Sequence, residues 1–388
     1  MKILALEAYY GGSHQAFLEG WQTHSEHTFT LLTLLPSKWK WRMRHAAITL
    51  SQQVNEHIQS GEKWDVLFCS DMLNLAEFLG LVEESVRQLP KIVYFHENQL
   101  TYPVQVESER DYQYCMTNIT TALAADAVWF NSAFHRDDFL QAIETFLKRM
   151  PDYQPLEVIE RIGAKSSVHP PGIDRCTVRA ERSPGPVTIL WAARWEHDKN
   201  PEDFFAAMKI LKDKGLDFRL NVIGARFRNQ PEVFDWAEQY FADRINRWGY
   251  QSSRDEYETA LAESDIVVST ANHEFFGIGV LEAISAGCFP LLPNRLSYPS
   301  MIESLVEDEG QKQAFLYDGT VEGLVRKLRK LIKDFKREST HTSQSEGNRS
   351  VWMPDRLRHD SLPALHNIDC YYWPQRAREM DTYLSCRA

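Results

Sequence analysis

Two cations and two carboxylates in the second half of the chain have the spacing of a site for a phosphorylated ligand. Arg194 directly follows the apolar run "VTILWAA", and Lys199 lies five residues further on. Glu274 follows the run "DIVVSTA", and Glu282 comes eight residues after it. Such a pair of cations can bracket a diphosphate and neutralise it as a leaving group. The alternative is a pair of solvated charged turns, and the two glutamates alone do not exclude it.

Two glycines strengthen the interpretation of the segment around Glu274. Gly277 and Gly279 leave the backbone bare where a helix is predicted to start, around Gly279. Unpaired N–H groups and the helix dipole favour a bound phosphate at such a position. Glu274 on the loop and Glu282 on the helix would then hold hydroxyl groups on either side of a diphosphate.

A second candidate site is basic and aromatic, although the chain as a whole has a formal net charge of -11. No Asp or Glu occurs from His27 to Asn55. Cations can anchor a nucleic acid by releasing its counterions, and tryptophan rings offer planes on which unstacked bases can lie. We call this cluster the basic aromatic patch; it consists of Lys38, Trp39, Lys40, Trp41, Arg42 and Arg44.

An amphipathic core helix with basic first turns is the alternative interpretation of this patch. Pro36 and Ser37 could start such a helix. Its apolar residues then fall on one face at helical spacing; they are Met43, Ala46, Ala47, Leu50 and Val54.

Short apolar runs separated by helix-length segments must position these residues. Near-continuous apolar runs of this kind are typical of parallel strands that are covered on both faces. Ligands bind at the carboxyl ends of such strands. The pattern therefore predicts two doubly wound α/β domains with a cleft between them. The runs are "KILALEA", "FTLLTLL", "WDVLFCS", "KIVYFHE" and "AVWFNSA" in the first half, and "VTILWAAR", "FRLNVIG", "DIVVSTA" and "CFPLLPN" in the second.

The predicted domain boundaries follow from changes in composition along the chain. "SVHPPGIDR" is typical of a stiff connector, and "KRESTHTSQSEGNRS" (336–350) is polar and unpatterned. We predict an N-terminal domain at 1–168, a connector at 169–175, a second domain at 176–335, a polar loop at 336–365 and a closing helix at 366–388.

Composition and cysteine usage indicate a soluble, cytoplasmic protein. The N-terminal apolar run ends at Glu7, too early for a signal peptide, and no run of 18 apolar residues occurs. The six cysteines show neither CxxC nor metal-ligand spacing, as expected for reduced thiols.

The candidate residues resemble the donor site of retaining glycosyltransferases of family 4. These enzymes have the GT-B fold, in which two Rossmann-like domains face a central cleft. The resemblance is closer to the tRNA-queuosine mannosyltransferases, and "ARWEHDKNP" and "FHENQLTYP" are its most specific segments. Little from about residue 336 onward contributes to it. The segments that carry it run in order from residue 9 to 299; they are "YYGGSH", "KWKWRMRH", "FHENQLTYPV", "RDYQY", "ALAADAVWFNS", "HPPGID", "AARWEHDKNP", "STANHEFFGIGVLEA" and "PLLPNRLSYP".

The resemblance implies roles for the donor-binding residues, with GDP-mannose as the expected donor. Arg194 and Lys199 would bind the diphosphate and stabilise its charge as it leaves. Glu274 would hold hydroxyl groups of the transferred sugar, and Glu282 would hold the ribose. His96, at the end of the fourth apolar run, resembles a histidine that lies near the reacting anomeric carbon; its alternative is a core histidine.

Backbone positions complete the implied donor site. N–H groups around Phe276 and Gly277 would contact the phosphate nearest the sugar. Gly11 and Gly12, in the loop after the first strand, would let the chain approach the diphosphate from the other domain.

The resemblance also implies tRNA carrying queuosine as the acceptor, with the basic aromatic patch as its binding surface. Queuosine carries a cyclopentenediol, and polar side chains after the fourth strand are suited to hydrogen bonding a vicinal diol. Glu97 would read that diol or the nearby secondary amine. The segment from Arg110 to Tyr114 would add a base or phosphate contact, or is instead a partly buried helix start. The side chains assigned to the diol are His96, Glu97, Asn98, Gln99 and Tyr102.

The expected mechanism is attack from the face that the leaving group departs from, with the departing phosphate oxygen taking the acceptor proton. No carboxylate is clearly placed as a nucleophile. No Asp-x-Asp follows a strand, so no metal cofactor is expected. Neither a membrane nor an obligate protein partner is indicated.

Two other functions remain open on the sequence alone. The first is a family 4 transferase that acts on a glycan, a lipid or a small molecule, although no basic amphipathic membrane helix favours a lipid. The second is an inactive protein that binds a nucleotide sugar or RNA.

Overall fold

The apolar runs of the chain form two parallel sheets of six strands each. The computed structural model describes residues 1–104, 110–178, 185–227, 230–338 and 365–386. The chain divides into two compact units, which we call unit 1 (1–172 and 371–388) and unit 2 (173–370). The predicted α/β fold is confirmed. Most of the predicted polar loop at 336–365 lies outside the described residues.

Unit 1 is built on a sheet with the strand order β2-β1-β3-β4-β5-β6. Its central strands are buried almost completely, since helices cover both faces of the sheet. Two hydrophobic clusters, one on each face, form its core. The strands are β1 (Lys2–Glu7), β2 (Thr28–Thr33), β3 (Val66–Ser70), β4 (Lys91–Phe95), β5 (Ala127–Phe130) and β6 (Ser166–Val168).

The helices of unit 1 include the last helix of the chain, α15, which packs on the first, α1. The indole of Trp21 donates to the Asp381 carboxylate at 2.9 Å. The ring of Trp373 fits against Gly20, where a Cβ atom would lie 2.1 Å from it. The helices are α1 (Ser13–His24), α2 (Trp39–Gln59), α3 (Leu75–Leu81), α4 (Glu84–Arg87), α5 (Tyr112–Ala124), α6 (Ala133–Leu147), α7 (Glu157–Gly163) and α15 (Trp373–Ser385).

Unit 2 is built on a sheet with the order β12-β11-β10-β7-β8-β9. Its strands are β7 (Val187–Ala192), β8 (Phe218–Ile223), β9 (Ile245–Gly249), β10 (Ile266–Val268), β11 (Phe289–Pro293) and β12 (Leu316–Tyr317). Its helices are α8 (Pro201–Asp213), α9 (Val233–Tyr240), α10 (Arg254–Ala262), α11 (Ile278–Ser285), α12 (Tyr298–Leu305), α13 (Lys312–Phe315) and α14 (Val321–Glu338).

The structure corrects one helix start and confirms the associated helix face. Helix α2 begins at Trp39 rather than at Pro36, because Lys38 before it adopts the left-handed conformation with φ 54°. All five residues predicted for its core face are buried. The closing helix predicted at 366–388 corresponds to α15, which begins at Trp373 and ends at Ser385, with Pro374 in its first turn. Among the described residues, no helix is long and apolar enough to cross a membrane.

Candidate active site

Lys199 is the centre of a charged cluster in unit 2. It ends a short 3-10 turn, His197–Lys199, that follows β7, and only 7% of the residue is exposed. Its Nζ atom donates to the His273 carbonyl at 2.7 Å and lies 3.1 Å from Asp198 and 3.3 Å from Glu274. Burial alone would lower the pKa of Lys199, but the two carboxylates raise it, so the ammonium group stays charged.

Arg194 and Lys199 have different environments, although both follow β7. Arg194 is exposed, and its guanidinium lies 2.9 Å from the Glu196 carboxylate. The Lys199 ammonium is held in place by three oxygens, the longest contact being that to Glu274. An incoming phosphate could therefore replace Glu274 on Lys199 more easily than the other two partners. The contact of Arg194 with such a ligand stays a prediction.

The loop from Glu274 leads into the N-terminus of α11, and the contact of its backbone with a phosphate stays a prediction. Gly277 is the residue before α11 and has φ 99°, a conformation that side-chain-bearing residues rarely adopt. A Cβ atom there would also lie 3.2 Å from Tyr298 and from Met301. The backbone N–H of Phe276 approaches the Glu274 carboxylate at 3.4 Å. Helix α11 therefore offers its N-terminal dipole beside the Lys199 cluster.

Glu282, on α11, is held by two side chains of α10 that sequence reasoning missed. Arg254 donates to one carboxylate oxygen at 2.7 Å and Tyr257 donates to the other at 2.8 Å. Arg254 also donates to Glu258 at 2.8 Å. A carboxylate fixed in this way presents its remaining lone pairs in a defined direction, which suits recognition of a pair of hydroxyl groups.

A second polar cluster lies at the carboxyl edge of the unit 1 sheet. Glu7 ends β1, Asp71 follows β3 and His96 follows β4, while His14 lies in the first turn of α1. The Nδ1 atom of His14 is 3.1 Å from the Glu7 carboxylate, and its ring centroid is 3.9 Å from that of His96. The backbone N–H of His96 donates to Asp71 at 2.8 Å.

Burial and neighbouring charges separate the protonation states of this cluster. Burial alone would lower the pKa of His14, but Glu7, Asp71 and Glu97 together raise it to about 9. Burial and the charge on His14 hold the pKa of His96 well below its ordinary value. Burial raises the pKa of Asp71 to about 8, although the charge on His14 opposes this rise. At neutral pH one histidine is thus cationic and the other is neutral.

Glu7, His14 and His96 could also hold a metal ion by distance alone. Their ligand atoms all lie within 4.8 Å of one another. Because Nδ1 of His14 already bonds to Glu7 and carries its proton at neutral pH, a metal would have to displace that proton.

The segment after His96 forms a tight loop in which the predicted acceptor residues have unequal environments. The Asn98 side chain is fully buried and accepts from the N–H groups of Leu100 and Thr101, both at 3.0 Å. Gln99 donates to the Glu97 carboxylate at 3.2 Å. Asn98 therefore shapes the loop, and its contact with an acceptor stays a prediction.

The rest of this loop borders a cavity and is joined to the start of α5. The guanidinium of Arg110 donates to the carbonyls of Gln99 and Tyr102, at 3.0 and 3.1 Å. A cavity of about 260 Å³ lies beside the loop, lined among others by Thr101, Arg110 and Tyr112. The segment from Arg110 to Tyr114 thus supports the loop and starts α5.

The basic aromatic patch lies on the first turns of α2, and most of it is exposed. Trp41 is 61% exposed and Trp39 is 36% exposed. Arg44 donates to Gln113 and lies over the Tyr114 ring, 4.9 Å from its centroid. Cations at a helix N-terminus oppose the helix dipole and concentrate positive potential there. The patch therefore costs α2 some stability while creating a surface that suits an anion.

Two of the patch cations also have intramolecular partners. Arg42 donates to the Leu35 carbonyl at 2.8 Å and to Ser37 at 3.3 Å, and Arg44 has the contacts given above. Lys38 and Lys40 are exposed, with Lys40 lying 5.6 Å from the Trp39 ring. Both earlier interpretations of this segment thus describe part of α2: a buried apolar face and an exposed basic end.

Gly11 and Gly12 lie in the loop between β1 and α1. A Cβ atom on Gly11 would lie 2.5 Å from the Pro36 side chain, so packing alone requires glycine there. Gly12 has φ 55° and open space around its Cα atom. Close approach of the backbone to a ligand is therefore possible at Gly12, and its role in donor binding stays a prediction.

The predicted site residues thus form two groups, one in each unit. Unit 2 holds the residues predicted to bind the donor, namely Arg194, Lys199, Glu274, Phe276, Gly277 and Glu282, and their donor-binding roles stay predictions. Unit 1 brings together His96, the loop after it, the glycine loop and the basic aromatic patch. Sequence reasoning missed Glu7, His14 and Asp71. The two acids could have been found from the sequence, because each ends an apolar run, "KILALE" for Glu7 and "VLFCSD" for Asp71.

Comparison with known families and relatives adds to this geometry. A profile described as tRNA-queuosine alpha-mannosyltransferase N-terminal matches residues 2–173, and one described as glycosyl transferases group 1 matches residues 178–347. A tRNA-queuosine alpha-mannosyltransferase of Drosophila melanogaster is 37% identical over 314 residues, which are 77% of this chain and 81% of that protein.

Solved structures share the fold at low sequence identity. A lipopolysaccharide outer core galactosyltransferase, WaaB, in its apo form has a TM-score of 0.60 at 15% identity, with 100% of both chains covered. The catalytic domain of starch synthase IV from Arabidopsis thaliana, bound to ADP and acarbose, has a TM-score of 0.65 at 12% identity, with 88% of this chain and 93% of that chain covered. Both neighbours are glycosyltransferases, and the two six-stranded parallel sheets are those of the GT-B fold.

Proposed function

This chain belongs to the tRNA-queuosine alpha-mannosyltransferase family, and from that premise we propose that it transfers mannose from GDP-mannose to the cyclopentenediol of queuosine in tRNA. The observation that carries the proposal is the long match to a relative of that name. The donor and acceptor roles below are assigned on the chemistry of the residues in each unit.

The charged cluster of unit 2 is the proposed donor site. Lys199 and Arg194 neutralise the diphosphate, and the N-terminus of α11 adds backbone donors. Glu274 is released from Lys199 when the phosphate binds, so its carboxylate becomes available to the sugar hydroxyls. Glu282, oriented by Arg254 and Tyr257, accepts from the ribose hydroxyls. A preorganised cation of this kind stabilises negative charge that develops on a leaving group.

The edge of unit 1 is the proposed acceptor side. His96 lies by the reacting carbon, Glu97 reads the diol or the protonated amine of queuosine, and the basic aromatic patch binds the surrounding RNA. Trp41 offers the more exposed of the two indole rings for base stacking.

The proposed reaction retains configuration by attack from the face that the diphosphate leaves. The bond between the anomeric carbon and the phosphate oxygen breaks, and the bond to the queuosine hydroxyl oxygen forms on the same face. The departing phosphate oxygen takes the hydroxyl proton, so no protein base is needed. His96 is neutral at pH 7, since burial and His14 lower its pKa, and can accept or donate a hydrogen bond in this step without adding charge.

We further propose that the protein works in the cytoplasm. Among the described residues no cysteine forms a disulfide; three are buried (Cys69, Cys115 and Cys288) and two are half-buried (Cys176 and Cys370), as expected where thiols stay reduced.

Mass analysis of nucleosides tests the reaction directly. The protein is incubated with queuosine-containing tRNA and, separately, GDP-mannose, GDP-glucose, UDP-galactose and UDP-glucose; tRNA that lacks queuosine is the control. We expect one hexose to be added to queuosine from GDP-mannose alone. If no donor modifies the tRNA while one donor is slowly hydrolysed, the transferase site stands and the queuosine acceptor is wrong.

A further inference from the structure

Helix α14 of unit 2 carries a row of cations that the catalytic chemistry does not use. We call Arg326, Arg329, Lys330 and Lys333 the basic stripe; all four are exposed. Their spacing of three, four and seven residues places them on one side of the helix. The stripe spans about 10 Å of helix axis at 1.5 Å per residue.

The opposite side of α14 is apolar and buried. Leu324, Leu328 and Ile332 are each at most 1% exposed, and the helix packs on α8. Packing therefore fixes which side of α14 faces solvent. The cations lie outward for that reason, and the helix cannot turn its apolar side toward another partner.

Within the residues that the structure describes, one of the four cations of the stripe is paired with an acid. Arg326 lies 3.0 Å from the Asp318 carboxylate. In the part of the chain that the structure describes, Arg329, Lys330 and Lys333 form no ion pair. Two pairs of positive charges are four residues apart, Arg326 with Lys330 and Arg329 with Lys333. Charges of the same sign at this spacing destabilise a helix. Burial, together with Lys330 and Arg326, lowers the pKa of the neighbouring Lys327.

We propose that the basic stripe binds phosphates of the tRNA acceptor, at a distance along the RNA from the nucleotide that is modified; this inference rests on the proposed function. A polyanion is the ligand that best complements unpaired cations in a protein of net charge -11. Double-stranded nucleic acid offers about six charges over 10 Å of axis, at one per 1.7 Å. Three or four cations can therefore each meet a phosphate.

An anionic membrane is the other polyanion to weigh, and the packing of α14 disfavours it. A helix that binds in a membrane interface inserts its apolar face between the lipids. The apolar face of α14 is occupied by α8 and the sheet, so only surface charge would remain for lipids. RNA binding needs no more than that charge.

Salt-dependent tRNA binding by the full chain tests the stripe. The variant is Arg329→Gln/Lys330→Gln/Lys333→Gln, and the probe is queuosine-containing tRNA titrated from 50 to 200 mM KCl. Each lost phosphate contact removes about 0.7 to 0.9 from the slope of log K against log[salt], so we expect a slope shallower by about 2. The rate of mannose transfer to free queuosine nucleoside should not change, because a nucleoside carries no phosphate that the stripe could bind.

The matched control removes three exposed cations that are already paired. Arg87, Lys148 and Lys209 each lie 2.6 Å from an acid three or four residues away in the chain. Their triple replacement by Gln should leave the slope within about 0.5 of the wild-type value.

Each other outcome counts against the stripe. If the stripe variant binds tRNA with an unchanged slope while the wild type modifies queuosine, the stripe inference is wrong and the proposed function stands. If vesicles containing phosphatidylserine bind the wild type but not the variant, and the tRNA slope is unchanged, the partner is a membrane instead. If the wild type neither binds tRNA nor modifies queuosine, both proposals fail together.

Discussion

The ring of His14 lies tilted against the ring of His96, with 3.9 Å between centroids and 31° between planes, and the two rings carry different charge. His14 is protonated by its bond to Glu7, whereas burial and the His14 charge keep His96 neutral. The contact joins the first turn of α1 to the end of β4. Two histidines of the same edge can thus serve as a fixed positive charge and as a neutral hydrogen-bonding group.

The charge on His14 should make the stability of unit 1 depend on pH. The folded-state pKa of about 9 lies above the ordinary 6.5, so the proton stabilises the fold fully below about pH 6.5, and this contribution is lost as the pH rises through 9. The difference between the two pKa values corresponds to about 3 kcal/mol at 1.36 kcal/mol per pKa unit. His14→Gln should therefore remove a fall of that size in the free energy of unfolding between pH 6.5 and 9.

Asp71 also titrates in this pH range, so its contribution must be removed before that of His14 can be measured. Its pKa of about 8 is raised by burial, so it also destabilises the fold as the pH rises. The comparison is therefore made in urea, in an Asp71→Asn background, with and without His14→Gln. Glu7 and Glu97 still raise the His14 pKa in that background, so we expect the fall to remain but to be smaller. His24→Gln, at an exposed histidine of α1, is the control. Parallel pH profiles with and without His14 would contradict the prediction.

Replacing Lys199 with Gln should impair both folding and transfer. Asp198 and Glu274 would lose the cation they share, and uncompensated buried charge costs about 3 kcal/mol or more. Loss of a charge-stabilising group at a leaving group should lower the transfer rate by about 100-fold to 1,000-fold. Urea unfolding and steady-state kinetics measure the two effects. Lys209→Gln is the control, since Lys209 is exposed and its ion pair with Asp213 lies on the surface of α8. Unchanged kinetics in Lys199→Gln would remove Lys199 from the donor site.

Arg254 should act on donor binding through Glu282. Arg254→Gln frees one oxygen of that carboxylate to move, so we expect KM for the nucleotide sugar to rise about tenfold while kcat stays within about twofold. Arg247→Gln, which breaks an ion pair with Glu263 elsewhere in unit 2, should leave KM unchanged. An equal fall in kcat and kcat/KM would show that Arg254 acts in the transition state instead.

The strands that sequence reasoning missed share one property, which is their place in the sheets. The nine apolar runs became β1 to β5, β7, β8, β10 and β11. The missed strands β6, β9 and β12 all lie at a sheet edge. An edge strand is covered less and so needs fewer apolar residues. Strand β6 contributes "SSV", and β12 has two residues.

Candidate residues could be predicted from the sequence where the residue type and its position directly after a strand were sufficient. Lys199 and Glu274 were predicted from their place after strands. The contacts of Arg254 and Tyr257 with Glu282 were not, because α10 and α11 meet only in three dimensions. Asn98 also follows a strand and was predicted to contact the acceptor for that reason. Its side chain instead accepts hydrogen bonds from the backbone of its own loop.

Trp41 should contribute to RNA binding without contributing to the fold. Its ring is 61% exposed, and stacking on a base contributes about 1 to 3 kcal/mol. Trp41→Ala should therefore weaken binding of queuosine-containing tRNA by roughly tenfold or more, with an unchanged melting temperature. Tyr153→Ala, at a residue that is 95% exposed in the same unit, is the control. Equal tRNA affinity of wild type and Trp41→Ala would favour the purely structural interpretation of α2.

Glu97→Gln separates acceptor recognition from donor chemistry. The Glu97 carboxylate lies one residue after His96 and accepts from Gln99 at 3.2 Å, so an amide of the same shape keeps the loop but loses the charge. A protonated amine or a diol binds a carboxylate more tightly than an amide. We expect kcat/KM for queuosine-containing tRNA to fall about tenfold or more, at roughly 1.4 kcal/mol, while slow hydrolysis of GDP-mannose stays unchanged. Glu83→Gln, at an exposed position before α4, is the control. A residue that contacts only the acceptor should not affect hydrolysis of the donor, because water replaces the acceptor in that reaction. An equal loss of transfer and hydrolysis in Glu97→Gln would therefore show that Glu97 acts in donor binding or in folding instead.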